Sequence, residues 1–228
     1  MKIIDAHTHI DYITPCFQQD VVAAVCSARN ESDWPIMIKE NNSDKNIFCA
    51  FGVHPWSIDS VQDGFESRLS NLLKTNRSFM VGEIGLDKYH QNMDKQIDVF
   101  VKQLNIAVLL KRSVFLHCVG AWDKILHILK QYKKSELPVI VAHGFNGNDI
   151  ILQNLLDNYN VYFSFSKIDK PQEMHRIERI QSDRILVETD GKNDIILKDI
   201  IDKISIIKNN SDMGNIIYNN TYKVVGNE

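Results

Sequence analysis

Eight short, nearly continuous apolar runs punctuate this chain of 228 residues: "KIIDAH", "VVAAVC", "IFCAFGVHP", "FMVGEIGLD", "SVFLHC", "LPVIVAHG", "VYFSFS" and "RILVETD". Val and Ile are prominent in them, as in strands covered on both faces within a parallel sheet. Most of the gaps can hold a helix. In "DKQIDVFVKQLNIAVLLKR", Ile97, Phe100, Val101, Leu104, Val108 and Leu109 recur at intervals of three and four and mark one helical face; "WDKILHILKQYKK" and "NDIILQNLLDNY" repeat the pattern. Strand alternating with helix implies right-handed crossovers, and eight strands predict an α/β fold closed into a TIM (β/α)8 barrel, with an open doubly wound sheet as the alternative. Between the first two strands "DYITPCFQQD" leaves little room, so an irregular barrel with a short or missing first helix is expected. The tail from Asp194 to Tyr222 reads as helix, broken by Asn209, Asn210, Ser211 and Gly214. With no internal repeat, low-complexity tract or linker, residues 1–228 read as one domain.

The formal net charge of −3 gives no global attraction to nucleic acid or an anionic membrane, so an acidic ligand must be held locally. Cys16, Cys26, Cys49 and Cys118 stand far apart with no C-x-x-C, which suits reduced thiols better than a disulfide framework. No leader-like pattern opens the sequence and no apolar run approaches membrane-spanning length. The expectation is a cytoplasmic protein with no membrane association and no predicted protein partner.

Polar residues fall on the strands in one way. His7 and His9 are two residues apart and share a strand face, which in a barrel is the interior. Glu83, His117, His143 and Asp190 each lie late in, or at the end of, another strand. Barrel enzymes collect catalytic residues at the C-terminal ends of strands, whereas stability needs only branched apolar side chains inside. Four imidazoles and two carboxylates at one mouth suit divalent cations, which bind both donor types. Each alone has a plain structural reading: Glu83 could pair a buried cation and Asp190 could cap a helix. Six together exceed the needs of one open zinc site and fit two metals about 3.5–4 Å apart, bridged by a carboxylate and activating a water. Hydrolysis is the implied reaction. Nitrogen-rich ligation favours Zn or Mn over Mg. Of the remaining histidines, His127 reads as an ordinary helix residue and His175 as a solvated one, while His54 and His90 follow strands on the active face and divide between substrate contact and loop polarity.

"DAHTHID", "GVHPW", "GEIGLD", "LHC", "AHGFNG" and "ETD" occur in the order and spacing of the TatD family of metal-dependent deoxyribonucleases, within the amidohydrolase superfamily. The sequence resembles a shortened member from residue 3 to about residue 191. The resemblance implies a TIM barrel with two metals, His7, His9 and Asp190 on one, His117 and His143 on the other, and Glu83 bridging. It also implies Asp190 and Glu83 as catalytic residues, Asp190 taking the proton of the attacking water. The implied substrate is DNA, at single-stranded ends, or a small phosphoester; the family's association with Mg keeps that ion beside Zn and Mn.

Two departures bear on the substrate. "LHCVGAWD" has Val119 and Gly120 where relatives carry an arginine able to fork a phosphate, and "ETDGKND" replaces the more usual "ETDAPY". Lys167, Lys170 and Lys192 lie in loops after the last two strands, where they could compensate or simply be solvated. Lys167 is carried with His54 and Trp56 as a substrate-binding candidate. Trp56 could stack on a base, and Trp122 opens a helix whose apolar face offers it a packing role. A small-molecule or acyl (ester or amide) metallohydrolase is the alternative activity, and a metal-binding protein without catalysis is the third reading.

Overall fold

The computed structural model describes residues 1–12 and 20–226. Eight parallel strands follow one another in a single sheet in chain order: β1 Ile3–Thr8, β2 Val21–Ser27, β3 Ile47–Phe51, β4 Met80–Asp87, β5 Val114–Val119, β6 Ile140–Ala142, β7 Val161–Phe165 and β8 Ile185–Val187. Closure comes just beyond β8, where the Asp190 amide donates to the His7 carbonyl at 2.9 Å and the Thr189 amide to Asp5 Oδ1 at 3.0 Å. The TIM barrel is the fold, and every expected strand forms.

The helices lie outside the sheet: α1 Trp34–Ser43, α2 Phe65–Thr75, α3 Met93–Leu110, α4 Trp122–Leu129, α5 Asp149–Asn158, α6 Pro171–Arg179, α7 Leu197–Lys208 and α8 Met213–Gly226. The first crossover opens with a 3-10 turn at Ile10–Tyr12; the rest of the segment expected to lack a full helix, 13–19, lies outside the described residues. The expected tail break falls at Asn209, whose left-handed φ of 46° ends α7.

Ala6, Val25, Ala50, Met80, Phe115, Val141, Tyr162 and Leu186, one from each strand, form an interior cluster joined by Val224 and Val225 of α8. A larger cluster fills the space between sheet and helices. Apolar residues thus occupy the lower barrel, and polar side chains are left to the C-terminal mouth.

Candidate metal centre

Glu83 is the hub of that mouth. It is buried on β4, and its two oxygens face different partners. Oε2 lies 3.2 Å from His7 Nε2 and 3.5 Å from His9 Nε2. Asp190 Oδ1 is 3.8 Å from each of those nitrogens. Oε1 lies 2.7 Å from His117 Nδ1, 2.7 Å from His143 Nε2 and 3.3 Å from His54 Nε2. Three sets have donor atoms close enough to share a cation: His7, His9 and Glu83; His7, His143 and Asp190; His54, Glu83 and His117.

Backbone and neighbouring side chains orient these rings. His9 Nδ1 lies 3.0 Å from the Ser27 carbonyl; a carbonyl only accepts, so Nδ1 carries the proton and Nε2 presents a lone pair. Ser27 Oγ lies 3.2 Å from His7 Nδ1, and Glu188 Oε1 lies 3.3 Å from His143 Nδ1. His54 is arranged the other way. Its Nδ1 accepts the Trp56 amide at 3.1 Å, so the neutral ring turns an Nε2–H, a donor, toward Glu83. Asp190 adopts a left-handed φ of 53°, which Asp tolerates better than most residues, and its Oδ2 is held by Lys192 Nζ at 2.7 Å.

The local charges follow from burial and pairing. Burial opposes ionisation of Glu83, but His143, His54 and His7 outweigh it and hold the carboxyl well below its ordinary range. Burial also opposes charging His143, yet Glu83 and Glu188 raise it well above an ordinary histidine. Burial lowers His9, with help from His7, and brings His54 down to about 4. Asp190 is lowered, His143 and His7 overcoming its burial.

The donor set fits divalent cations. His7 Nε2, Glu83 Oε2 and His117 Nε2 are buried polar atoms without a hydrogen-bond partner, a costly arrangement for a merely structural cluster.

The chain's similarities agree with this geometry. The family model described as "TatD related DNase" matches residues 4–223. The chain belongs to the TatD family. This TatD chain is 27% identical over 218 residues to the human 3'-5' RNA nuclease TATDN2, spanning 82% of this chain but only 28% of that protein. It is 35% identical over 148 residues to the 3'-5' ssDNA/RNA exonuclease TatD of Yersinia pseudotuberculosis, 58% of this chain and 56% of that one. The fold matches the TatD homologue YjjV of Escherichia coli with a TM-score of 0.87, 19% identity and 97% of both chains covered.

All six residues expected as ligands are brought together. His54, expected at the substrate, is only 5% exposed and sits within the cluster, though it also lines the open cavity of about 510 Å³ above it. Trp56 is 59% exposed at the rim, donates Nε1–H to Asp87 at 2.7 Å and stacks on His90 at 4.7 Å. Lys167 lines the same cavity. Trp122 is buried against Phe145, His127 is exposed on α4, and exposed His175 pairs with Asp149. Sequence reasoning missed Glu188, the first residue of "ETD", although its place two residues before Asp190 is the available signal.

Proposed function

We propose that this chain is a metal-dependent nuclease that removes nucleotides from 3′ ends of single-stranded DNA or RNA. The observation that carries the proposal is the division of Glu83 between two donor sets, among which His7 Nε2, Glu83 Oε2 and His117 Nε2 are buried without a hydrogen-bond partner. His7, His9 and Asp190 would hold one cation, His117 and His143 a second, and Glu83 would serve both. Bound there, divalent cations supply a Lewis acid for the phosphoryl oxygens and a water acidified toward neutrality. Zn or Mn suits the imidazole-rich set, with Mg a third candidate.

This chain's own groups do the rest. Asp190, ionised at neutral pH, accepts the proton of the attacking water at Oδ1, while Lys192 keeps Oδ2 engaged and the carboxylate aimed. His54, neutral and donating from Nε2 toward Glu83, holds that carboxylate in place beneath the substrate cavity. Trp56, braced by Asp87 and His90, offers its face to a base. Lys167 faces the strand's phosphates. The names of the human and Yersinia relatives support single strands and the 3′ direction. Among the described residues no helix is long and apolar enough to cross a membrane, and the buried free thiols Cys26, Cys49 and Cys118 suit the cytoplasm. Residues 1–228 act as one domain in this reading.

Hydrolysis of 3′-labelled single-stranded DNA and RNA by metal-stripped protein, resupplied with Mg²⁺, Mn²⁺ or Zn²⁺, tests this. Shortening that needs metal and vanishes in Asp190→Asn is the expected result. Val119 and Gly120, in place of a phosphate-forking arginine, favour a second reading as an acyl metallohydrolase; cleavage of a carboxyl ester with intact nucleic acid would select it.

A further inference from the structure

A second cavity, of about 560 Å³, adjoins the metal centre. Gly144, Asn146, Ser166 and Lys167 line both spaces, so the two are immediate neighbours. The second is walled by the loops after β6 and β7 and by the first turns of α6. Its cations are Lys167, Lys170 and Arg176, and none of the three has a carboxylate partner among the described residues. Arg176 lies over the Phe145 ring at 6.0 Å and gives one bond, from Nη2 to the Asn146 carbonyl at 3.4 Å. Its remaining donors are uncommitted. Among the lining residues Glu173 is the only carboxylate, and its Oε2 already accepts the amides of Asp169 at 2.7 Å and Lys170 at 2.9 Å. The trough therefore carries an excess of positive charge in a chain whose net charge is −3.

Concave walls concentrate that charge, a planar guanidinium matches phosphate, and the apolar edges of Phe145 and Phe165 beside the amides of Asn146 and Gln172 suit a base. The volume lies in the range of small-ligand sites. We propose that this trough is a nucleotide subsite, distinct from the scissile position, that binds a neighbouring phosphodiester of the strand through Lys167, Lys170 and Arg176. It substitutes for the arginine missing after β5. The inference rests on the nuclease reading and adds a substrate class to it: strands with at least one phosphate beyond the one being cleaved.

The test compares a dinucleotide, with one internal phosphodiester, and a tetranucleotide, for the protein with Mn²⁺ and for K170A/R176A. The natural chain is expected to favour the tetranucleotide by about tenfold in kcat/KM, the effect of losing a charged hydrogen bond. The variant loses that preference through KM, and the loss is confined to the longer substrate. A variant that retains the preference, or loses dinucleotide cleavage equally, overturns the proposal. K170E, a change at an exposed residue, repeats the test without disturbing the packing of Arg176 on Phe145.

Binding of fluorescein-labelled tetrathymidylate in EDTA separates the two readings. K170A/R176A should bind about tenfold more weakly, with a salt slope shallower by about 0.7 for each phosphate that the variant no longer neutralises. K130A, at the C-terminal end of α4 and the opposite end of the barrel, should change neither. If the natural chain cleaves no nucleic acid but shows this trough-dependent binding, the nuclease reading falls and the subsite stands. Equal binding by the variant and the natural chain removes the subsite, whatever the cleavage result.

Discussion

Glu188 Oε1 sits 3.3 Å from His143 Nδ1 and accepts the Gly144 amide at 2.7 Å, so one buried oxygen fixes both the ring and the turn that carries it. His143 consequently presents Nε2 to Glu83 at 2.7 Å. Carboxylates behind a metal-binding imidazole set its tautomer and raise its basicity, and losing one typically costs 10–100-fold in metal affinity. In Glu188→Gln the amide oxygen can still accept both bonds, but the charge is gone; in Glu188→Ala the bonds go too. Metal affinity, measured by calorimetry with Mn²⁺ or Zn²⁺, should fall by about tenfold in the first and about 100-fold in the second. A twofold effect in Glu188→Ala would remove Glu188 from the support of His143.

Gly85 holds β4 and β5 at the distance that lets Glu83 meet His117. It is paired with His117 in the sheet at a φ of +152°, and a Cβ there would lie 1.8 Å from the His117 carbonyl oxygen. Backbone cannot yield as a flexible side chain does, so Gly85→Ala must part the strands beneath the site. A loss of about 3 kcal/mol or more in urea unfolding is expected. Gly226→Ala meets nothing within 4 Å and should be near neutral. Less than about 1 kcal/mol lost at Gly85 would mean that the strands separate more easily than close packing allows.

These residues show which information is local. His7 and His9 share a face because strand geometry repeats every two residues, and eight apolar runs set the order of the barrel before any contact is known. The candidate cluster was legible because each member lies within or just beyond a strand, although Glu83, expected late in its strand, is the fourth of the eight residues of β4. His54 was not fully legible: Pro55 starts a 3-10 turn that folds the ring inward, and its acceptor role depends on the Trp56 amide. Glu188 points behind His143, a relationship across 45 residues that no periodicity encodes. The cationic trough likewise needs α6 to lean over the loop after β6, and α8 reaches the barrel interior through Val224 and Val225.

The described thiols should be inert in the native state. Burial pushes Cys49 and Cys118 up to about 12 and Cys26 well above its ordinary range. At pH 8 a thiol with such a value is thiolate in only about one molecule in 10⁴, and the thiolate is the reactive form. In Cys16→Ser, chosen because Cys16 lies outside the described residues, Ellman's reagent should label almost nothing before denaturant and three thiols after it. Cys118 lines the cavity over the candidate metal centre, so rapid native labelling of that residue would show that the cavity admits reagent and that burial does not protect the sulfur.

Asp5 links stability to pH. It is buried under the site, where Oδ1 accepts the amides of His7 at 3.2 Å and Thr189 at 3.0 Å and Oδ2 lies 2.6 Å from Thr189 Oγ1. Burial outweighs the hydrogen bonds from Thr189 and His7 and brings the carboxyl from 3.8 up to about 7. Between those values the folded chain holds a proton that the unfolded chain has released, so the contribution of Asp5 falls as pH rises from about 4 to 7 and stays lost above that. Across the window this amounts to about 4 kcal/mol at most. Asp5→Asn keeps the acceptor for both amides and places an N–H where Thr189 Oγ1 can accept, without a proton to lose. In metal-free protein the variant should match the natural chain near pH 4 and be the more stable by several kcal/mol at pH 8, read from urea midpoints at each pH. A difference that does not change with pH would mean that Asp5 is already ionised in the fold, with its three donors overcoming burial.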